Sequence, residues 1–197
     1  GGPPVTTIAV VRKNGIAAIA ADTLTKWGPV KESAKDVVNH EKIIRVGDSF
    51  IAITGNATFK HIVPDYFAGF DTPPELDSVA QIFKVWNRMH ADFKEHYFLQ
   101  SEEDKEDAIE STRVDVLIAN PHGIFGVSGH RTVQAFSRFY AYGSGSDYAL
   151  GALFSAYERP EFDAAAAARH AVGAAIEFDD GTGGPIESYT VALKPAA

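Results

Sequence analysis

The sequence predicts an α+β fold, and three observations carry that reading. Strand-like and helix-like segments come in blocks (strands, two helices, strands, two helices, a last strand), not in the alternation of a parallel βαβ sheet. Arg12-Lys13-Asn14-Gly15 joins two apolar segments, 6–11 and 16–22, and Asn-Gly is the strongest short hairpin signal. In the middle of the chain Val79, Ile82, Phe83, Trp86, Met89, Phe93 and Tyr97 recur at three- and four-residue steps, which makes one apolar helix face.

The remaining elements follow in chain order. Segments 42–46 and 49–54 form a second strand pair around Gly47-Asp48, and the polar stretch 24–41 between the pairs reads as a loop. A short helix is expected within 56–68, interrupted near Pro64. Thr72-Pro73-Pro74-Glu75 has the form of a capping box opening the long middle helix. The acidic run 101–110 reads as a solvated loop, a rim or a partner contact. Strands return at 113–119, 123–128 and 132–142; helices are expected over 147–158 and 162–178, and a strand over 187–193.

Composition narrows the function. The chain has 197 residues, 45% of them hydrophobic and 22% charged, as in an ordinary globular domain. Residues 6–197 read as one domain and 1–5 as a propeptide or a cloning remnant, since the first residue is Gly1. Eighteen basic against 26 acidic side chains give a net charge of −8, which argues against nucleic-acid partners and anionic membranes. The absence of cysteine excludes disulfides, thiolate nucleophiles and Cys-based zinc sites. No apolar run reaches the roughly 18 residues of a membrane span, and no signal-peptide pattern opens the chain, so the expected location is cytoplasmic.

Common catalytic motifs are missing: no phosphate-binding loop, no HExxH and no GxSxG occurs. The glycines of Gly143-Ser144-Gly145-Ser146 break the dinucleotide spacing, and the seven histidines are scattered, so neither a cofactor nor a metal is expected. What remains is the start of the chain, where Thr6-Thr7 opens the first strand, Asp22 ends the second and Lys42 begins the third. With the Arg12–Gly15 turn, Glu41-Lys42-Ile43, Ile53-Thr54-Gly55-Asn56-Ala57 and Tyr142-Gly143-Ser144-Gly145, the sequence resembles the proteasome β-subunit family, especially its bacterial HslV-like branch. The resemblance runs from Thr6 to about Leu193.

That resemblance implies a four-layer α-β-β-α sandwich of the N-terminal nucleophile hydrolase type, and a threonine endopeptidase. Thr6 would be the nucleophile and its freed α-amine, with an ordinary pKa of about 7.7–8.0, the base. Lys42 would stay protonated beside the hydroxyl, Asp22 would hold Lys42, and the Gly55 N–H would form the oxyanion hole. Ser144 and Asp179 would bond around the α-amine, although Asp180 competes with Asp179 for that place. Substrate would pair with backbone near Thr25–Lys26 and Gly55–Ala57, with Ile53 and Ala57 lining an apolar pocket. The implied partners are unfolded polypeptides, further copies of the chain in stacked homo-oligomeric rings, and an ATP-driven unfoldase.

Each residue also has a plainer role. Thr6 is a good strand former, Asp22 a strand-end cap, Lys42 a surface lysine, Gly55 a turn residue and Ser144 a helix cap. Moreover, Val5 precedes Thr6, and an acylated Thr6 nitrogen is no base, so the chain in this form is expected to be inactive. It reads as an unprocessed precursor, a blocked form or a non-catalytic ring subunit. A small-amide hydrolase of the wider N-terminal nucleophile group is the third reading.

Overall fold

The computed structural model describes residues 5–100 and 107–195. The chain is mixed α/β, with antiparallel sheets and four helices among the described residues. Four strands, β1 (Thr7–Lys13), β2 (Ile16–Ala21), β10 (Phe139–Gly143) and β11 (Glu187–Ala192), form one sheet in the order β10-β1-β2-β11. The other sheet has the order β5-β6-β7-β8-β9: β5 (Ile43–Val46), β6 (Ser49–Ile53), β7 (Val116–Asn120), β8 (Gly123–Val127) and β9 (Val133–Phe136). Residues 101–106 of the acidic run lie outside the described residues.

The β1–β2 hairpin forms as expected. Asn14 and Gly15 both take positive φ, the type I′ geometry that matches strand twist, and Lys13 pairs with Ile16. Strand alternation then divides its residues between two environments. Ile8, Val10, Ala17, Ile19 and Ala21 meet Ile43, Ala52 and Leu117 of the other sheet. Ala9, Val11, Ala18 and Ala20 instead meet α3 (Ser146–Ala156) and α4 (Ala164–Phe178), whose buried residues are largely alanines. Small side chains on both sides let α4 approach β1 and β2 closely. The third group is bulky: α1 (Phe59–Ala68) and α2 (Val79–His96) bring Phe59, Phe67, Trp86, Met89 and Phe93 onto the β5–β9 sheet.

Several expectations change. The long middle helix begins at Val79, with Ser78 Oγ accepting from Gln81 N–H at 3.2 Å, not at Thr72. Thr72 and Pro73 each precede a proline, which disfavours helical backbone there. Its inward face is Ile82, Val85, Trp86, Met89, His90 and Phe93, whereas Val79 and Phe83 are exposed. Helix α1 runs through Pro64. Burying four side chains at about 1.5–3 kcal/mol each outweighs roughly 3 kcal/mol for an interior proline.

The stretch 24–41 is not all loop: β3 (Thr25–Trp27) pairs with β4 (Val30–Glu32) in a separate hairpin outside the core. The single strand expected over 132–142 is two strands, because the chain leaves one sheet after Phe136 and enters the other at Phe139. A continuous β-forming run carries no mark of that change of sheet. Its crossing is sealed where Arg12 N–H donates to the Arg138 carbonyl at 2.7 Å. No helix among the described residues is long and apolar enough to cross a membrane.

Phe93, fully buried between α1 and α2, is the best single reporter of the bulky core. Phe93→Ala is expected to lower the unfolding free energy by about 3–5 kcal/mol. A urea midpoint unchanged from the parent would contradict this packing.

Candidate active site

Between β3, the end of β6 and the end of α4 lies a cleft of about 920 Å³, and Thr6, Lys42, Gly55, Ser144 and Asp179 all border it. Strand pairing brings them together from distant parts of the chain. Thr7 faces Gly143 across β1 and β10, and Ser144 N–H donates to the Thr6 carbonyl at 2.8 Å. Ala21 faces both Ile8 and Glu187, which leaves Asp22 emerging directly beneath the start of β1.

Asp22 is wholly buried and Lys42 nearly so. Lys42 Nζ donates to Asp22 Oδ1 at 2.8 Å and to the Leu24 carbonyl at 2.5 Å, and reaches the Val5 carbonyl at 3.4 Å. The Asp22 carboxylate also accepts from the N–H groups of Thr7 (3.1 Å) and Gly183 (3.1 Å). Burial pushes the Asp22 carboxyl up from its ordinary value and the Lys42 ammonium down, and each opposes the shift of the other. A buried pair like this costs heavily to desolvate and is retained only when its remaining hydrogen-bonding capacity is filled, as here.

A second network surrounds the Thr6 nitrogen. Asp179 Oδ2 accepts from Ser144 Oγ at 2.7 Å and from Thr182 Oγ1 at 2.5 Å. The single hydroxyl hydrogen of Ser144 is thus directed at a carboxylate, and its lone pairs face Thr6 N–H at 3.4 Å. Thr182 Oγ1 lies 2.8 Å from Thr7 Oγ1, which ties the network to β1. Ser144 is not a helix cap, since Gly145 occupies that position. Between the two aspartates the geometry is unambiguous. Asp179 faces Ser144, whereas Asp180 is exposed and pairs with Lys26 at 2.7 Å, which holds its carboxyl below the ordinary value.

Thr6 itself is buried, and its hydroxyl donates to the Val5 carbonyl. Gly55 has φ +99°, and a Cβ there would come within 2.9 Å of the Arg113 carbonyl. Thr25 and Lys26 on β3, Ile53 at the end of β6, and Ala57 before α1 all border the cleft. The wall is more mixed than an apolar pocket, because Lys60, Arg113 and Asp115 join Ile53 and Phe59. Asp22 stands behind Lys42, out of reach of the cleft.

Among the contributors that escaped the sequence reading as site residues are Thr182 and the Leu24 carbonyl. Thr182 had a usable signal, three residues after Asp179 in Asp179-Asp180-Gly181-Thr182-Gly183-Gly184. A main-chain acceptor such as Leu24 has none. Among the described residues, three potential metal ligands converge at Asp92, Glu95 and His96. These are i, i+3 and i+4 positions of α2, not part of the cleft lining, and helical spacing produces such a grouping unaided.

No protein-family model matches the sequence, and no curated protein matches it. Solved structures do. Thiobacillus denitrificans BPH in complex with epoxomicin is 63% identical, with a TM-score of 0.92, over 96% of this chain and 100% of that one. A second structure of Thiobacillus denitrificans BPH is 64% identical at TM-score 0.93, over 97% and 100%. The chain belongs to the BPH family of HslV-like proteasome subunits. Eukaryotic HslV from Trypanosoma brucei shares this fold at TM-score 0.66, with 16% identity over 95% of this BPH-family subunit and 99% of that chain.

Lys42→Met leaves the Asp22 carboxylate buried without its cation. Its folded-state pKa then rises further above the unfolded value of about 3.9, so the folded state binds more protons and stability falls as pH rises above that value. The expected loss at neutral pH is about 3–5 kcal/mol, largely recovered by adding Asp22→Asn. Urea unfolding of both variants at acidic and neutral pH reads this directly, and a pH-independent loss would refute it.

Proposed function

We propose that the chain is a threonine-type endopeptidase with Thr6 as nucleophile. The observation that carries this reading is the convergence on one threonine of a buried lysine–aspartate pair and a serine–aspartate network. In the mature form Thr6 carries a free α-amine. Its Oγ attacks the scissile carbonyl while the amine takes the hydroxyl proton, and Lys42 lowers the cost of the alkoxide by its charge. The Gly55 N–H receives the oxyanion of the tetrahedral intermediate. The amine returns the proton to the leaving peptide amine, which leaves an ester on Thr6. Water, deprotonated by the same amine, hydrolyses that ester and restores Thr6.

The Val5–Thr6 bond is the switch for this chemistry. While Thr6 N is an amide its lone pair is delocalised and no base is present. The Val5 carbonyl accepts from the Thr6 hydroxyl and lies 3.4 Å from Lys42 Nζ, so the two groups proposed for substrate turnover already face this bond. The complex of a 63% identical relative with epoxomicin, a peptide epoxyketone, supports the same reading. We take the helices and paired sheets as the four-layer α-β-β-α arrangement of proteasome subunits. On that reading the chains assemble into stacked homo-oligomeric rings in the cytoplasm, with unfolded polypeptide, delivered by an ATP-driven unfoldase, as substrate. The Val5–Thr6 amide favours one second reading, a ring subunit that stays unprocessed and non-catalytic.

Intact mass before and after incubation with epoxomicin separates the two. An epoxyketone closes a ring using both a threonine hydroxyl and a free α-amine. A chain beginning at Thr6 that gains one adduct is the expected result; a chain that retains Val5 and gains none favours the unprocessed subunit. Thr6→Ala is expected to lower peptide hydrolysis by about 10⁴-fold or more while leaving assembly intact. Full hydrolysis by that variant would overturn the assignment.

A further inference from the structure

The lysine at the centre of the site is anchored at both ends, and only one anchor belongs to the machinery described so far. Its ammonium is held by Asp22 and the Leu24 carbonyl. Its backbone is held by Glu187 at the start of β11, whose Oε1 accepts from Lys42 N–H at 3.1 Å and from Ile43 N–H at 3.2 Å. We propose that Glu187 is a positioning residue of the active site, one that fixes the stretch of backbone from which Lys42 reaches Thr6. This inference rests on the peptidase reading for its functional meaning, though not for its geometry.

The need for such an anchor follows from topology. Strand β5 is an edge strand, so half of its N–H groups have no ladder partner. The chain reaches Lys42 after the excursion 24–41, which holds only the small β3–β4 hairpin and places no strand against the entry to β5. On its inner side the Lys42 carbonyl accepts from Ile53 N–H at 3.1 Å. On the outer side the partner is a carboxylate from the other sheet. A charged acceptor makes these two bonds stronger than neutral ones. Because Glu187 lies opposite Ala21 in the β2–β11 pair, one register fixes both anchors, Asp22 being the next residue.

The carboxylate is itself held. Its second oxygen accepts from the Tyr189 hydroxyl at 3.3 Å, and the Tyr189 ring stacks on Phe50 of β6, with centroids 4.7 Å apart. Glu187 and Tyr189 thus clamp the outer strand of one sheet onto the first two strands of the other, beside Lys42. Lys42, Lys60 and Glu41 are the nearby charges; the two lysines favour the carboxylate and Glu41 opposes it. Misplacement of a reacting group by about 1 Å can cost about 100-fold in rate. Loss of the anchor is therefore expected in kcat.

The test uses the chain with Thr6 exposed and a fluorogenic peptide. Glu187→Ala is expected to lower kcat by about 10–100-fold, with KM within about twofold. Glu187→Gln is expected to recover most of that loss, because its Oε1 still accepts from both N–H groups and its Nε2 can donate to the Tyr189 oxygen. A Glu187→Ala enzyme with wild-type kcat, a loss confined to KM, or a Glu187→Gln enzyme as impaired as Glu187→Ala would each overturn the proposal. Should Glu187→Ala fail to fold, Glu187→Asp, which withdraws the carboxylate by one methylene, takes its place with the same expected split. Failure of the peptidase reading has a different signature, in which wild type and Thr6→Ala give the same turnover. Amide hydrogen exchange at Lys42 and Ile43 then decides the anchor alone. Protection in wild type and Glu187→Gln with fast exchange in Glu187→Ala supports it, and protection retained in Glu187→Ala overturns it.

Discussion

A carboxylate that solvent does not reach and an ammonium almost as deeply buried meet 2.8 Å apart at Asp22 and Lys42. Much of the local architecture can be understood as the means of keeping that pair satisfied. Removing two charges from water costs several kcal/mol per ion, and mutual attraction recovers this only when every remaining lone pair and proton finds a partner. Asp22 finds its partners in the N–H groups of Thr7, Leu24 and Gly183, drawn from the first strand, its own loop and the 179–185 turn. Lys42 finds its partners in two carbonyls. The pair therefore fastens β1, the end of β2, the start of β5 and the turn before β11 to one point.

The same geometry explains why the site needs both sheets. Thr6, Asp22, Ser144 and the Asp179 turn all adjoin the sheet that carries α3 and α4, whereas Lys42 and Gly55 adjoin the sheet that carries α1 and α2. The cleft opens at one end of the paired sheets, where β1 and β5 begin and β6 and β10 finish. The faces between them hold Ile8, Ile19, Leu117 and Ile124. That apolar layer has no hydrogen-bonding directionality, so it sets the separation of the sheets but not their registry. Registry at the site comes from polar contacts: the ion pair, and the Glu187 carboxylate on the Lys42 and Ile43 N–H groups.

How much of this was legible in the sequence depended on whether a feature is local. The hairpin at Asn14-Gly15, the two helix pairs and the last strand carry local signals, and the structure has them all. The start of α2 was obscured because Thr72 mimics a cap while the prolines after it forbid the helix. The division of 132–142 between two sheets was invisible because β-propensity is the same on either side of Ser137-Arg138. Thr6, Asp22, Lys42, Gly55 and Ser144 were found through their order and spacing, which resemble a family pattern. Composition alone would have left each in its plainer role. Asp179 and Asp180 are adjacent carboxylates, and only the direction of the turn distinguishes the one facing Ser144 from the one facing Lys26. Glu187 could not be found in this way: its partners are backbone N–H groups 144 and 145 residues distant, and a backbone acceptor site has no residue signature.

In the proposed chemistry, the serine network gains its purpose only when the Val5–Thr6 bond is gone. As an amide, Thr6 N offers one hydrogen and no usable lone pair. As an amine it offers both, and an amine that bonds indiscriminately makes a poor base. Asp179 removes that freedom at one remove. By taking the hydroxyl hydrogen of Ser144, it leaves Ser144 able only to accept from the amine, so the amine's own lone pair stays available to the Thr6 hydroxyl. Thr182 adds a second donor to the same oxygen and keeps the carboxylate from turning away. The ammonium of Lys42 stands on the other side, where it favours the alkoxide without competing for the proton, as long as Asp22 keeps it charged. Two carboxylates thus act on one threonine without either touching it, one by orienting a neutral acceptor and one by holding a cation.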